Sequence, residues 1–151
     1  MQTFHPALMA GAALAGLSLA GCATVEEAVV EKLAETYNAT LTGAQEVGPG
    51  DPDGSATAEV TVADKIDQIC YDIGHIRNLD TITAAHIHRG ARGVDGPPVL
   101  TLKRANEGGF KGCDTAPEWV QDAVENNFTG YYVNIHTTAY PNGAIRGQLG
   151  R

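Results

Sequence analysis

The chain has 151 residues, with 10 Lys or Arg against 18 Asp or Glu, so its formal net charge is −8. Nucleic acid is bound through clustered cationic side chains, so this acidic balance excludes it as a partner. Hydrophobic residues make up 43% of the chain and charged residues 19%, which predicts one folded domain with accessory segments. The 18 Gly and 7 Pro make the chain rich in turns and favour β-structure.

The first segment has the composition of an export signal. Residues 7–20 form an uncharged apolar run of 14 residues, shorter than a membrane-spanning helix needs, so residues 1–21 are predicted to be a signal peptide. The closing tetrapeptide, LAGC at 19–22, resembles the bacterial lipobox. That resemblance implies that Cys22 is lipidated and anchors the mature chain in the cell envelope, at the outer membrane or facing the periplasm. An ordinary export signal with an unmodified Cys22 is the alternative.

Residues 22–36 are predicted to form a helical tether between the lipid anchor and the domain. Thr24 and Glu27 have the spacing of a capping box, in which the Thr side chain and the Glu side chain cap the same helix start. Apolar side chains follow at three- and four-residue intervals on one face.

Short strands separated by turn residues follow from residue 37 to the end of the chain. Alternation of apolar and polar residues predicts strands over 37–42, 56–63, 69–76, 84–88, 99–102, 131–137 and 144–149. Helical spacing over 116–126 predicts one short helix, with Asp114 or Thr115 as its N-cap. The expected fold is an all-β, antiparallel Greek-key (immunoglobulin-like) β-sandwich forming a single domain over 37–151.

Export also determines how the cysteines are interpreted. If Cys22 carries lipid, Cys70 and Cys113 remain as a pair in an oxidising compartment, where a disulfide is the expected state. Closing a loop of about 44 residues would stabilise the fold by roughly 4 kcal/mol. A cysteine-containing metal site is the alternative, although neither cysteine has a Cys or His at short ligand spacing.

Three histidines form a candidate metal site. His86 and His88 are two residues apart in a predicted strand, so their rings project from one face about 7 Å apart. His136 lies on the polar face of the 131–137 strand. If the two strands are neighbours, the three imidazoles converge and could hold a transition metal, with copper first and zinc second. The alternative is that these histidines make structural hydrogen bonds only.

Several segments in one order are similar to the CHRD domain, first named in chordin and found in bacterial exported proteins. The segments are AHIHRG at 85–90, GVDGPPVLTL at 93–102, YVNIHT at 132–137 and YPNGAIRGQL at 140–149, and residues 37–46 resemble the opening strand of the family. The resemblance implies an immunoglobulin-like β-sandwich, and its histidine cluster suggests metal binding. Glu46 and Arg146 both lie within the matching segments, and we expect them to form an ion pair.

Three functions are consistent with the sequence. The first is a membrane-tethered domain that binds copper or zinc, and the second is an extracytoplasmic protein-interaction or adhesion module with structural histidines. The third, a metalloenzyme, is less favoured because no general acid or base set can be identified. The expected partners are the membrane, through the lipid anchor, and a possible protein partner.

Overall fold

The computed structural model describes residues 34–63 and 66–151. The predicted signal peptide at 1–21, the lipidated Cys22 and residues 22–33 of the tether lie outside the described residues. The first strand begins at Glu35, which pairs with Val62, so the last two residues of the predicted tether belong to the domain. No helix in the described part of the chain is long and apolar enough to cross a membrane.

Eight antiparallel strands and one short helix make up the described fold. The strands are β1 (Glu35–Thr42), β2 (Ser55–Ala63), β3 (Gln68–Arg77), β4 (Ile82–Arg89), β5 (Pro98–Thr101), β6 (Phe110–Thr115), β7 (Tyr131–Thr137) and β8 (Ile145–Gln148), and the helix α1 spans Trp119–Glu125. A 3-10 turn at Gly43–Gln45 follows β1. The seven predicted strands and the predicted helix are confirmed.

The strands form one hydrogen-bonded sheet in the order β5-β4-β7-β8-β1-β2-β3-β6. One face of this sheet carries the alternating apolar side chains that the sequence pattern predicted, such as Leu41 on β1, Val60 on β2 and Ile87 on β4. Side chains from both ends of the sheet belong to the same buried cluster. The sheet therefore curls around a single apolar core.

The two edges of the curled sheet meet. The chain that leaves β5 still pairs with β4 at residue 102, where the Leu102 amide donates to the Ala85 carbonyl at 2.9 Å. One residue later it pairs with β6, because the Lys103 carbonyl accepts from the Lys111 amide at 3.1 Å. A bridge between Arg104 and Phe110 continues this contact. The segment after β5 thus joins the opposite ends of the sheet.

Strand β6 was missed by the sequence pattern, and it carries one half of the predicted disulfide. Cys113 lies directly opposite Cys70 on β3, and the two form a disulfide. The segment contains Lys111, Gly112 and Asp114, which have low strand propensity, so its strand conformation depends on pairing with β3. This disulfide indicates an oxidising, extracytoplasmic compartment.

The predicted N-cap of the helix was wrong. Asp114 and Thr115 belong to β6, where Thr115 pairs with Gln68. The N-cap position of α1 is Glu118, which makes no side-chain capping bond. The Asp114 carboxylate instead binds Lys103 and accepts a hydrogen bond from the Tyr71 hydroxyl, so it contacts residues of the sheet and does not cap the helix.

Candidate metal centre

The register of β4 against β7 brings the three predicted ligands together on the outer face of the sheet. His86 lies opposite Asn134, while His136 pairs with Ala84, one row along. Ala85 and Ile87 point into the core, so His86 and His88 both face outward. Neighbouring and diagonal positions on one sheet face are close enough for side chains to meet. The predicted convergence is therefore present in the geometry.

The distances among the three imidazoles suit a shared ion. One ring nitrogen from each of His86, His88 and His136 lies within 4.8 Å of the other two. The ring centroids of His86 are 5.0 Å from His136 and 5.5 Å from His88, and His88 is 6.2 Å from His136. Metal-nitrogen bonds of about 2.0–2.1 Å allow an ion to sit among nitrogens at such separations after small side-chain adjustments.

Backbone carbonyls orient two of the three rings. Nδ1 of His88 is 2.8 Å from the Gly96 carbonyl oxygen, and Nδ1 of His136 is 3.0 Å from the Pro141 carbonyl oxygen. A carbonyl oxygen only accepts, so each Nδ1 carries the proton and donates. Each Nε2 is then left with a free lone pair. This arrangement is the one in which metal-binding histidines are usually held.

Each of the three histidines has one buried ring nitrogen with no hydrogen-bond partner among the described residues: Nδ1 of His86 and Nε2 of both His88 and His136. Buried polar atoms nearly always have a partner because leaving one unpaired costs about 1–3 kcal/mol. Three such atoms from two neighbouring strands, one on each member of the triad, are what a metal ion would satisfy. The residues present therefore fit a transition metal.

The surroundings favour neutral imidazoles. Burial lowers the pKa of His86 and of His88 below the ordinary 6.5, and the neighbouring histidine rings lower both further. For His88, the hydrogen bond to Gly96 acts in the opposite direction. A metal ligand must be the unprotonated imidazole, so two members of the triad are already in the binding form at neutral pH.

A stack of side chains forms one wall of the site. The ring of Tyr132 lies parallel to that of His88, with centroids 4.8 Å apart and an interplanar angle of 13°. The guanidinium carbon of Arg146 is 3.4 Å from the centre of the Tyr132 ring. The Tyr132 hydroxyl is 3.4 Å from the Gly96 carbonyl oxygen, which also accepts the hydrogen bond from His88. His88 is thus held both at its edge and on its face.

The structure gives Arg146 a different acid from the predicted Glu46. Arg146 is buried, and its salt bridge, at 3.4 Å, is with Asp95. It also donates to the carbonyls of Ala91 and Val94 at 2.8 Å and 3.0 Å. Arg146 pairs across the sheet with Asn134, and the 89–97 loop folds over it and supplies these acceptors. Arg146 therefore holds the 89–97 loop in place, and the Gly96 carbonyl of that loop accepts the hydrogen bond from His88.

Glu46 forms a hydrogen bond with Asn134, the residue that pairs with Arg146 across the sheet. Its carboxylate accepts a 2.7 Å hydrogen bond from the side-chain amide of Asn134, which is itself buried. Burial raises the pKa of Glu46 to about 7, although the charge of Arg146 and the bond from Asn134 lower it. The carboxylate of Glu46 is outside the triad.

A cleft of about 630 Å³ adjoins the triad. Glu46 and Asp95 contribute acidic groups to its lining, and the turn after β7 contributes Tyr140 and Pro141. Pro141 is also the residue whose carbonyl orients His136, so the cleft and the triad share a wall.

Sequence reasoning found the three imidazoles but not the groups that orient them. The acceptors on Gly96 and Pro141 are main-chain atoms, which a sequence pattern does not reveal. The position of Tyr132 within the 132–137 segment does not predict that its ring stacks on His88. The glycine at position 96 is the one feature of the sequence that relates to this orientation. The backbone of Arg89 lies so close to it that a Cβ there would be 1.6 Å from the Arg89 carbonyl oxygen. A glycine in that loop is therefore required by packing, which one sequence could not distinguish from an ordinary turn glycine.

Comparison with known proteins identifies one family. The model of the CHRD domain matches residues 37–149, which spans β1 to the end of β8 and includes all three histidines. Neither the curated proteins nor the solved structures contain a match to the chain.

Proposed function

Because the chain belongs to the CHRD domain family, with residues 37–149 forming the domain, we propose that it is a metal-binding member of that family. The ligands are His86, His88 and His136. The observation that carries the proposal is the set of three buried ring nitrogens, one from each histidine, for which residues 34–63 and 66–151 provide no hydrogen-bond partner.

Copper is the first candidate for the ion and zinc the second. Neutral imidazole ligands suit both, whereas calcium and magnesium prefer oxygen ligands. An ion of this class, held by these three histidines, would supply a Lewis-acid or redox-active centre. The protein's own part is to present three unprotonated nitrogens, with His88 and His136 fixed through their Nδ1 protons.

The proposed location is the cell envelope, with the chain anchored through lipid on Cys22 and separated from the membrane by the segment that precedes β1. Two observations support this. The Cys70–Cys113 disulfide indicates an oxidising compartment, and the sequence at 19–22 resembles the lipobox. Metabolic labelling with a radioactive fatty acid tests the anchor, because Cys22→Ser should abolish the label.

For the fold, we propose that the curled sheet has the immunoglobulin-like Greek-key arrangement of two layers. The position of β8 beside β1, far from it in sequence, supports a Greek-key connection.

Calorimetric titration of the purified chain with Cu²⁺, Zn²⁺ and, under reducing conditions, Cu⁺ tests the metal proposal. One ion per chain is expected, and His88→Ala or His136→Ala should abolish binding while the circular dichroism spectrum is retained. His75→Ala is the matched control, because His75 is an exposed histidine of β3 outside the triad. Unchanged stoichiometry in both triad variants would refute the site.

A protein-interaction or adhesion module is the second candidate. The hydrogen bonds from His88 and His136 to loop carbonyls favour it, since structural histidines would make the same bonds. Under this alternative no ion binds in the titration, and either alanine substitution lowers the melting temperature by loosening its loop.

A further inference from the structure

Arg146 is a permanent cation buried beside the triad. Its side chain is 2% exposed, and two of its hydrogen bonds go to the uncharged carbonyls of Ala91 and Val94. The one carboxylate in its salt bridge belongs to Asp95, whose side chain is 73% exposed, and the half-buried carboxyl of Glu46, with a pKa of about 7, is the other acid that interacts with its charge. Water screens an exposed carboxylate much more than a buried guanidinium, so the positive charge is only partly neutralised.

The stack of aromatic rings places this charge close to the ligands. Strand β7 lies between β4 and β8, so the ring of Tyr132 has His88 on one side and Arg146 on the other. The guanidinium carbon is 3.4 Å from the Tyr132 ring centre, which is 4.8 Å from the His88 ring centre. The cation therefore lies within about 8 Å of the imidazole, with an aromatic ring rather than water between them.

The ligand set offers no charge to offset this cation. Within residues 34–63 and 66–151, the candidate metal cluster consists of three histidines and includes no carboxylate or thiolate. Each positive charge on a bound ion is therefore repelled by Arg146. A bound ion would lie beyond the ring centre, and at about 10 Å Coulomb's law with a dielectric constant between that of water and that of a protein surface gives about twofold to about fifteenfold loss of affinity for each charge.

We propose that Arg146 makes the triad selective for monovalent copper, so that Cu⁺ is bound in preference to Zn²⁺ and Cu²⁺. The inference rests on the proposed metal-binding function and names the ion that the site takes.

The test compares dissociation constants for Cu⁺ and Zn²⁺ on the purified chain. Cu⁺ is measured anaerobically by competition with the chromophoric chelator bathocuproine disulfonate, and Zn²⁺ by calorimetry, both at low ionic strength. The unsubstituted chain should bind Cu⁺ more tightly. Arg146→Gln should reduce the ratio of Cu⁺ to Zn²⁺ affinity by about tenfold, because it removes the repulsion that acts more strongly on the divalent ion. Arg146→Lys, which keeps the charge, should preserve the ratio.

A surface variant keeps the test decisive if the buried substitutions do not fold. Asp95→Asn removes the exposed carboxylate that partly neutralises Arg146, so the ratio should rise at least about twofold. Lys111→Gln, which removes an exposed cation on β6 that is bound to Asp72 of β3, is the control and should leave the ratio unchanged.

Two results would overturn the inference while leaving the metal-binding function intact. One is tighter binding of Zn²⁺ than of Cu⁺ by the unsubstituted chain. The other is a ratio that does not change in folded Arg146→Gln or in Asp95→Asn. Failure of the proposed function itself is distinguishable, since in that case no ion binds under any condition.

Discussion

Replacement of Glu46 by Gln should stabilise the folded protein at alkaline pH. The folded state raises the pKa of this carboxyl from 4.5 to about 7, chiefly through burial. A carboxyl with a raised pKa holds its proton more tightly when folded, so its contribution to stability is present at low pH and is lost as the pH rises towards 7. Above that pH the folded protein contains an ionised carboxylate that its surroundings disfavour.

The magnitude follows from the size of the rise. Each pKa unit corresponds to about 1.4 kcal/mol, so a rise from 4.5 to about 7 sets an upper limit of about 3 kcal/mol at pH 8, which screening by water reduces because the carboxyl is only half-buried. Glutamine carries no charge, and its carbonyl can accept the same hydrogen bond from Asn134. We expect Glu46→Gln to increase the free energy of unfolding by up to about 3 kcal/mol at pH 8, and by less than about 1 kcal/mol at pH 5.

Urea denaturation of both proteins at pH 5 and pH 8 measures this difference directly, because titrations common to the two proteins cancel. Glu59→Gln, at an exposed position of β2, is the matched control and should change stability little at either pH. A Glu46→Gln effect that is equal at the two pH values, or destabilisation at pH 8, would refute the burial of an ionisable Glu46.

Three further predictions concern the disulfide and the metal site. Replacing Cys70 and Cys113 together by Ala should lower the free energy of unfolding by roughly 4 kcal/mol, measured by urea denaturation, and the unreduced native chain should show no thiol at either position in a labelling assay. Gly96→Ala should weaken metal binding by about 10- to 100-fold in calorimetry, because a Cβ cannot fit there and the carbonyl that orients His88 must move; unaltered affinity would argue against this orientation. Because burial lowers the pKa of His86 and His88, both imidazoles of the metal-free chain should titrate below the ordinary 6.5 in an NMR pH titration; a midpoint above 6.5 for either ring would contradict their burial.

Much of the fold could be predicted because alternation along a strand reports directly which side chains are buried. Val60 and Val62 on β2 and Ile87 on β4 point into the core as their spacing indicates. Strand β6 could not be found in this way. Its sequence, FKGCDT, has no alternating apolar pattern, and its conformation comes from pairing with β3 and from the Cys70–Cys113 bond.

The candidate site was predictable in its ligands and not in its electrostatics. The spacing of His86 and His88 requires that both project from one face of a strand, and the polar face of β7 adds His136. The acid that forms the salt bridge with Arg146 is Asp95, and the path of the 89–97 loop brings it there. A loop path is fixed by tertiary contacts, so Asp95 was not distinguishable from Glu46 in the sequence.

The orientation of His88 and His136 depends on main-chain oxygens, which has a consequence for how the protein tolerates change. Any residue contributes the same carbonyl, so what must be inherited is the course of two loops rather than a particular acidic or amide side chain. Substitutions that respect backbone geometry should be neutral for the site, and insertions near residues 96 and 141 should be damaging. The site is therefore a property of loop length and curvature, and transplanting it to another sheet would require moving both loops with the three histidines.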